Sequence, residues 1–526
     1  MFYISADELA QAREWAEKNF NRAPKTNAAA PVYVNKQESE HCCELRERVI
    51  ANIPFSFIYD GKSSDELLGS WEFKETQKEL DKNRIERTQT YFDLSTGLEL
   101  RCVIVEYKDF PVVEWTLYFK NASDKNTPIL ESIRGLDTEL HRSPEGEFVL
   151  HCNKGDYNTA DSYRPFDETL GPDTSIWFAP REGKGTCWSF PYYNLQMPSG
   201  GLILAIGWPG QWSSSFIRDN ETGLRITAGQ ELTHLYLKPG EEIRSPLIAL
   251  LFWNGTDTVR AQNIWRRWMV KHNLPRTSDG KLAPVQLCGI NQHTTGFTGI
   301  TEQNQIDCIK RYVEEGLELD YWWIDTGWYV NSGHWWYTGT WEIEKSRLPN
   351  GLRPIFDYAH SKGIKSILWF EPERIGDENS WLAKNHPEWI FEYKEDGMLL
   401  NLGNSEARKW LIDFVDKFIT EQGIDIYRQD FNMAPLNAWR HADAPDRQGI
   451  AENFHNQGYL KVWDTILERH PDVRIDACAS GGRRNDLETM RRAVPLHRTD
   501  YNFDPTSQQC HNFGLSFWFP YTGTGY

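Results

Sequence analysis

The segment SEARKWLIDFVDKFITEQGIDIYRQDFN, residues 405–432, sets the fold. Its first part places Leu411, Phe414, Val415, Phe418 and Ile419 on one helical face. Asn404 or Ser405 can cap the start, and Gly423 can end it. Residues 424–431 then read as a short buried strand that runs out on a carboxylate, Asp430, flanked by Arg428, Gln429 and Asn432. A helix that delivers a buried strand is one α/β unit.

The unit recurs on both sides. Strands are expected at 285–292, 319–328, 364–373, 424–431, 473–482 and 494–501, with helices at 301–316, 351–363, 405–423 and 459–470 between them. Strict alternation implies parallel pairing, in a doubly wound sheet or a (β/α)8 barrel. Polar residues gather at the ends of several strands: Asn291 and His293, Asp325, Glu371 and Glu373, Asp430, Cys478 and Ser480, Asp500. That favours the barrel, whose chemistry comes from several strand ends around one mouth. A nucleotide-binding sheet would need G-x-G-x-x-G after its first strand, and LCGINQHTTG does not match. With six strands used by Tyr501, too little chain remains for two more units. The barrel is therefore expected to be truncated after about six β/α units.

Residues 30–254 have another rhythm. ELRCVIVEYKDFPVVEWTLYFKN alternates apolar and polar residues, and SPEGE, MPSGG and RDNETG supply turns. This half predicts a large antiparallel β-sandwich. Ahead of it, Ser5-Ala-Asp-Glu opens a capped amphipathic helix rather than a signal peptide. The organisation expected is an N-terminal β domain over 1–254, a helical linker over 255–284 that pauses at Pro275, and a catalytic barrel over 285–526.

Composition narrows the partners. A net charge of −18 argues against nucleic acid and anionic membranes, which select for Lys and Arg. No apolar run is long enough to span a bilayer. Nine cysteines, an odd number without CxxC, suggest reduced thiols and a cytoplasmic location. No cofactor or metal is expected: Glu371 and Glu373 lack a partner at ligand spacing, SGGRR lacks the P-loop lysine, and Cys478 has no evident base. The strand-end acids suit glycoside hydrolysis, which needs two carboxyl groups flanking an acetal. WWIDTGWYVNSGHWWYTGTW, with six Trp in 20 residues around Asp325, offers flat rings for a pyranose, although a barrel Trp is more often core.

WWIDTGW, LWFEPERI, YRQDFN and CASGGRRND…HRTDY together resemble the retaining α-galactosidases of glycoside hydrolase family 36, in the clan shared with family 27. The resemblance implies a β-supersandwich, a (β/α)8 barrel and a C-terminal β domain, the last expected to be absent here. It implies a substrate that is an α-galactoside oligosaccharide or glycoconjugate, and a homo-oligomer, a tetramer in many relatives. The family nucleophile closes a Lys-Trp-Asp motif, here Arg428-Gln429-Asp430. The acid/base falls on Asp500 of Arg498-Thr499-Asp500. Asp486 is the alternative, set second because it opens a helix it could cap. The pair gripping the sugar is Asp325-Thr326, the ring-side tryptophan is Trp369, and Cys478 and Gly481 lie near the 2-hydroxyl. Arg428, Asn432 and Arg498 complete the expected binding set. Arg428, Gln429 and Thr326 depart from the family's Lys, Trp and Asp, so an α-N-acetylgalactosaminidase stays open. So do a transglycosylase and, if the barrel is truncated, a non-catalytic sugar binder.

Overall fold

The computed structural model describes residues 3–20, 54–282, 287–291, 295–393, 397–502 and 504–523. His293, Cys42 and Cys43 fall outside the described residues. The opening helix forms as expected over Ala6–Asn19, with Ser5 and Glu8 exchanging a capping box.

Two antiparallel sheets make up most of the N-terminal half. The larger runs Pro165–Leu170, Phe148–Asn153, Tyr192–Met197, Gly200–Gly207, Leu247–Asn254, Val112–Asn121, Leu98–Tyr107, Arg84–Phe92 and Glu72–Asp81. The smaller has four strands, of which Trp212–Arg218, Gly223–Gln230 and Leu136–His141 lie side by side. Their inner faces share one core: Leu100, Leu117, Leu202 and Leu250 from the large sheet, Leu136, Phe216 and Ile226 from the small one. The strand Gly200–Gly207 is buried along its whole length. Its even residues Leu202, Leu204 and Ile206 face the sandwich, and its odd residues Ile203 and Ala205 face the other way. There they meet Trp253, Trp265 and Trp268 in the core that continues into the α/β half. A continuous apolar run in an antiparallel strand thus marks a sheet covered on both faces.

In the α/β half, β1 (Cys288–Ile290), β2 (Tyr321–Ile324), β3 (Lys365–Phe370), β4 (Ile426–Gln429) and β5 (Arg474–Ala477) pair in parallel and in chain order. A doubly wound sheet reverses order part way along, and this one does not. The sixth expected strand is a correction. Residues 494–501 form only one parallel bridge, Asp476 to Val494, among the described residues. Asp476 explains this: its Oδ1 accepts the Leu496 N–H at 2.8 Å, in the place of a continuing ladder.

Two further features escaped the pattern. A three-stranded antiparallel sheet (Arg374–Ile375, Gly397–Leu400, Ile390–Tyr393) follows β3. The helix expected from 459 starts at Ile450, behind Gly449 with φ of 90°. Its first turns bury Glu452 and Asn453 against the β half and His455 against Glu373 after β3. Glu452 accepts the Trp208 indole N–H and the Gln211 backbone N–H, each at 2.7 Å. A helix whose polar residues are buried shows no apolar period at that end.

Candidate active site

Asp430 follows β4 at the C-terminal end of the parallel strands and is 8% exposed. Its backbone N–H still donates to Phe370 O on β3, so the carboxyl is fixed at the last rung of the sheet. Four donors hold it. Trp369 Nε1 (3.0 Å) and Asn432 Nδ2 (2.9 Å) donate to Oδ2; the N–H groups of Phe431 (2.7 Å) and Ser480 (3.0 Å) donate to Oδ1. Burial alone would raise its pKa. The Arg428 charge and these hydrogen bonds outweigh burial and hold it below the usual carboxylate range.

Arg428 pairs with Asp476, its direct register partner on β5. Its guanidinium lies 4.3 Å above the Trp323 ring and 3.9 Å from Asp325 Oδ2. A planar fork uses these stacked and ionic contacts together, which a lysine would not. Asp325 follows β2 and accepts the Trp323 indole N–H (3.0 Å) and the Thr326 N–H (2.9 Å). Burial raises its pKa despite Arg428. Thr326 Oγ1 donates to Phe297 O at 3.3 Å.

The loop after β5 joins the two proposed catalytic acids. The Cys478 N–H donates to Gln429 O at 2.9 Å, and burial pushes its thiol up, which suits packing rather than attack. Ser480, which donates to Asp430, has φ of 53°, and Gly481 has φ of 84°. A Cβ on Gly481 would stand 2.8 Å from Asp500 N and 2.7 Å from Thr499 Cα, so only glycine fits. One residue therefore touches Asp430 and the next abuts Asp500. The Asp500 side chain is 43% exposed, with Oδ1 3.0 Å from His497 Nε2 and Oδ2 3.4 Å from Asn158 Nδ2.

The structure thus brings Asp325, Thr326, Trp369, Arg428, Asp430, Asn432, Cys478, Gly481 and Asp500 together. Arg498 does not join them: its Nη groups donate to Gly523 O (3.1 Å) and Gln508 O (3.2 Å), tying down the last helix, Pro505–Ser516. Trp369 is buried, so it offers Asp430 an N–H and the sugar little open ring face. The two glutamates are structural anchors. Glu371 pairs with Arg374, and Glu373 binds Arg484 (2.7 Å), His455 (2.8 Å) and Gln429 (2.9 Å). Among the described residues no group of His, Cys, Asp and Glu is disposed to hold a metal ion.

Sequence reasoning missed Asp156 and Asn158, both from the β half. Buried Asp156 accepts from Gly482 N, Thr499 Oγ1 and Ser162 Oγ, each at 2.8 Å, and so clamps the loop to the Asp500 segment. GDYNTADSY carries no local signal of this. Asp476 did carry one, an acid inside an apolar strand beside Arg428.

Asp486 caps the helix Leu487–Arg492 and bonds the Thr489 hydroxyl at 2.7 Å. Burial pushes its pKa up to about 7. A carboxyl raised on folding stabilises fully below its unfolded pKa, and that contribution is lost as pH climbs through the folded value. Melting temperature should therefore decline between about pH 4 and about pH 7 through this group. Asp486→Asn keeps a good cap and should flatten that decline in a pH series of thermal melts, with turnover near the parent's.

Comparison with known proteins places this geometry. The family model described as Melibiase matches residues 263–525. α-Galactosidase Mel36A of Lactobacillus acidophilus is 28% identical over 296 residues, covering 54% of this chain and 39% of that protein. An α-galactosidase of Escherichia coli is 27% identical over 261 residues, covering 48% of this chain and 35% of that protein. The chain thus spans less than half the length of these curated relatives. The fold resembles a variant of the family 36 α-galactosidase AgaA of Geobacillus stearothermophilus, solved with raffinose. The TM-score there is 0.73 at 17% identity, over 88% of this chain and 67% of that one. With its family-model match over half its residues, this chain belongs to the melibiase family.

Proposed function

We propose that the chain carries the site of a retaining α-galactosidase that removes terminal α-linked galactose from oligosaccharides or glycoconjugates. The observation that carries this reading is Asp430: buried, held by four donors and kept ionised, with the consecutive loop residues Ser480 and Gly481 linking it to the more exposed Asp500. Asp430 attacks the anomeric carbon while Asp500, protonated, passes its proton to the leaving oxygen. The bond from sugar to leaving group breaks as the bond from sugar to Asp430 forms. Asp500 then takes a proton from water, which displaces Asp430 and releases the sugar with its configuration retained. Arg428 and Asp325 bind hydroxyls at the mouth, and Asn432 with Trp369 steadies the nucleophile. AgaA variants solved with raffinose and with stachyose are consistent with an α-galactoside as substrate.

The remaining organisation is part of the same proposal. The five-stranded arc reads as part of an eight-stranded barrel left open, with the β domain at 1–254, the linker at 255–284 and the barrel at 285–526. Among the described residues no helix is long and apolar enough to cross a membrane. A cytoplasmic setting is supported by the odd cysteine number, and a homo-oligomer by family resemblance.

The test is a panel of aryl α-glycosides, galactoside against 2-acetamido-galactoside, with the first-formed anomer read by NMR. Preferred release of α-galactose supports the reading; preference for the acetamido sugar moves the assignment to the α-N-acetylgalactosaminidase. A β anomer formed first ends the retaining mechanism. Galactose binding without any release favours the non-catalytic reading.

A further inference from the structure

Asp500 stands on a segment with little sheet to hold it. Residues 494–501 keep one parallel bridge, at Val494, among the described residues. Beyond that bridge the β half supplies contacts instead. Tyr163 Oη donates to Arg498 O, and Asn158 Oδ1 accepts the Asp500 N–H at 3.2 Å. Thr186 Oγ1 donates to Gly482 O at 2.6 Å. The segments meet so closely that a Cβ on Gly482 would stand 1.8 Å from Tyr163 Oη and 2.3 Å from Arg498 O.

Asp156 lies at the centre of these contacts and is fully buried. Its two oxygens have different tasks. Oδ2 accepts the Gly482 N–H at 2.8 Å and so holds the loop after β5. That loop reaches the nucleophile twice: Ser480 N–H donates to Asp430 Oδ1, and Ser480 Oγ donates at 2.8 Å to Asn432, which itself donates to Asp430. Oδ1 accepts the Thr499 and Ser162 hydroxyls, each at 2.8 Å, and the Asn158 N–H at 3.1 Å. Thr499 is the residue before Asp500, and the Asn158 bond closes an Asx turn that presents Asn158 to Asp500. A carboxylate suits this place because it only accepts; an amide would set an NH₂ group against one of these donors. Burial raises the Asp156 pKa in spite of the four donors, so the buried carboxyl costs stability that a purely structural contact need not spend.

We propose that Asp156 is a positioning residue of the acid pair: it ties the loop that touches Asp430 to the segment that carries Asp500, and so sets their spacing across the sugar. The proposal rests on the galactosidase reading given above. Asp156 touches no reacting atom. It acts through residues 480–482 on one acid and through Thr499 and Asn158 on the other, which makes the β half part of the catalytic machinery. Asp430 keeps its Trp369, Asn432 and Phe431 donors without the clamp, so release of the clamp displaces Asp500 above all.

The test is the kinetics of the parent, Asp156→Asn, Thr499→Val and Thr499→Ser on a galactosyl oligosaccharide and on an activated aryl α-galactoside, with melting temperatures alongside. Asp156→Asn should lower kcat/KM on the oligosaccharide about 10²-fold, the scale of a misplacement of about 1 Å. On the aryl substrate kcat and KM should fall together and leave kcat/KM near the parent's. Its phenol departs without a proton, and the glycosyl–enzyme accumulates when water is not activated. Thr499→Val, which is isosteric, should reproduce the pattern, and Thr499→Ser should restore most of the loss. A merely structural role lowers the active fraction and cuts kcat/KM on both substrates by one factor. That result, or parental kinetics in Asp156→Asn and Thr499→Val, overturns the proposal. A parent that turns over neither substrate defeats the galactosidase reading instead. Amide hydrogen exchange then decides on the clamp: Asp156→Asn should lose protection at both Gly482 and Asp500, and unchanged protection at either one overturns it.

Discussion

Asp430→Ala should lower turnover of an aryl α-galactoside by roughly 10⁴-fold or more, the scale seen when a nucleophile is removed. The charge that attacks the anomeric carbon disappears, and nothing nearby replaces it. Asp325 stands close, but burial raises its pKa and Arg428 and Trp323 already engage it. The substitution also leaves four donors without their acceptor: the Trp369 indole, the Asn432 amide and the N–H groups of Phe431 and Ser480. Some loss of melting temperature is therefore expected, because unpaired buried donors cost on the order of 1–3 kcal/mol each unless water enters. The space vacated by the carboxylate is open to a small anion. Azide should restore part of the rate and give β-galactosyl azide, since one displacement inverts the α linkage. Near-parental turnover in the variant, or an azide product of α configuration, would remove Asp430 from the nucleophile's role.

Legibility in the sequence followed physical cause. Helix 405–422 and β4 were readable because an apolar face and caps at Asn404 and Gly423 set their limits. Asp486 read as a cap and is one. The start of the helix Ile450–Arg469 was hidden, because its buried face is made of Glu452, Asn453, His455 and Asn456. A pattern of apolar residues cannot report a polar interface. Strand six failed for a related reason: VPLHRTDY has apolar residues at strand spacing, yet Asp476 takes the Leu496 N–H and the chain turns away. At the site, Arg428 and Asp430 stood out as charges on an apolar strand. Asn158 did not, since it reaches Asp500 across 342 positions of chain from a loop of ordinary composition. Arg498 misled because it neighbours Asp500 in sequence, while its side chain points to backbone carbonyls. Adjacent residues in an extended segment face opposite ways, and residue 500 shares its side of the chain with residue 498 only in a regular strand. Residues 494–501 form none.

Asp500→Ala should behave differently from Asp430→Ala, and the difference is the sharper test of the pair. General acid assistance is worth about 10²–10⁴-fold and matters most when the leaving group is a poor one. A galactoside with an activated phenol departs without a proton, so formation of the glycosyl–enzyme should stay fast. Its hydrolysis should become slow, because no base activates water. The expected trace is a burst of phenol followed by a slow steady state. A galactosyl oligosaccharide, whose leaving alcohol needs protonation, should lose close to the full factor from the first step. Azide needs no base, so it should accelerate the second step on the activated substrate and give α-galactosyl azide, the product of two inversions. Fold should be little affected: Asp500 is the more exposed acid, its side-chain contacts are His497 and a 3.4 Å approach from Asn158, and the Asn158–Asp500 backbone contact survives the substitution. The same kinetics in Asp486→Asn, with Asp500→Ala near parental, would transfer the acid/base role to the helix cap. That outcome is disfavoured because both Asp486 oxygens are engaged within its own helix, by Glu488 N, Thr489 N and the Thr489 hydroxyl. Asp486 is also fully buried, whereas the Asp500 side chain is 43% exposed and so is open to a departing sugar.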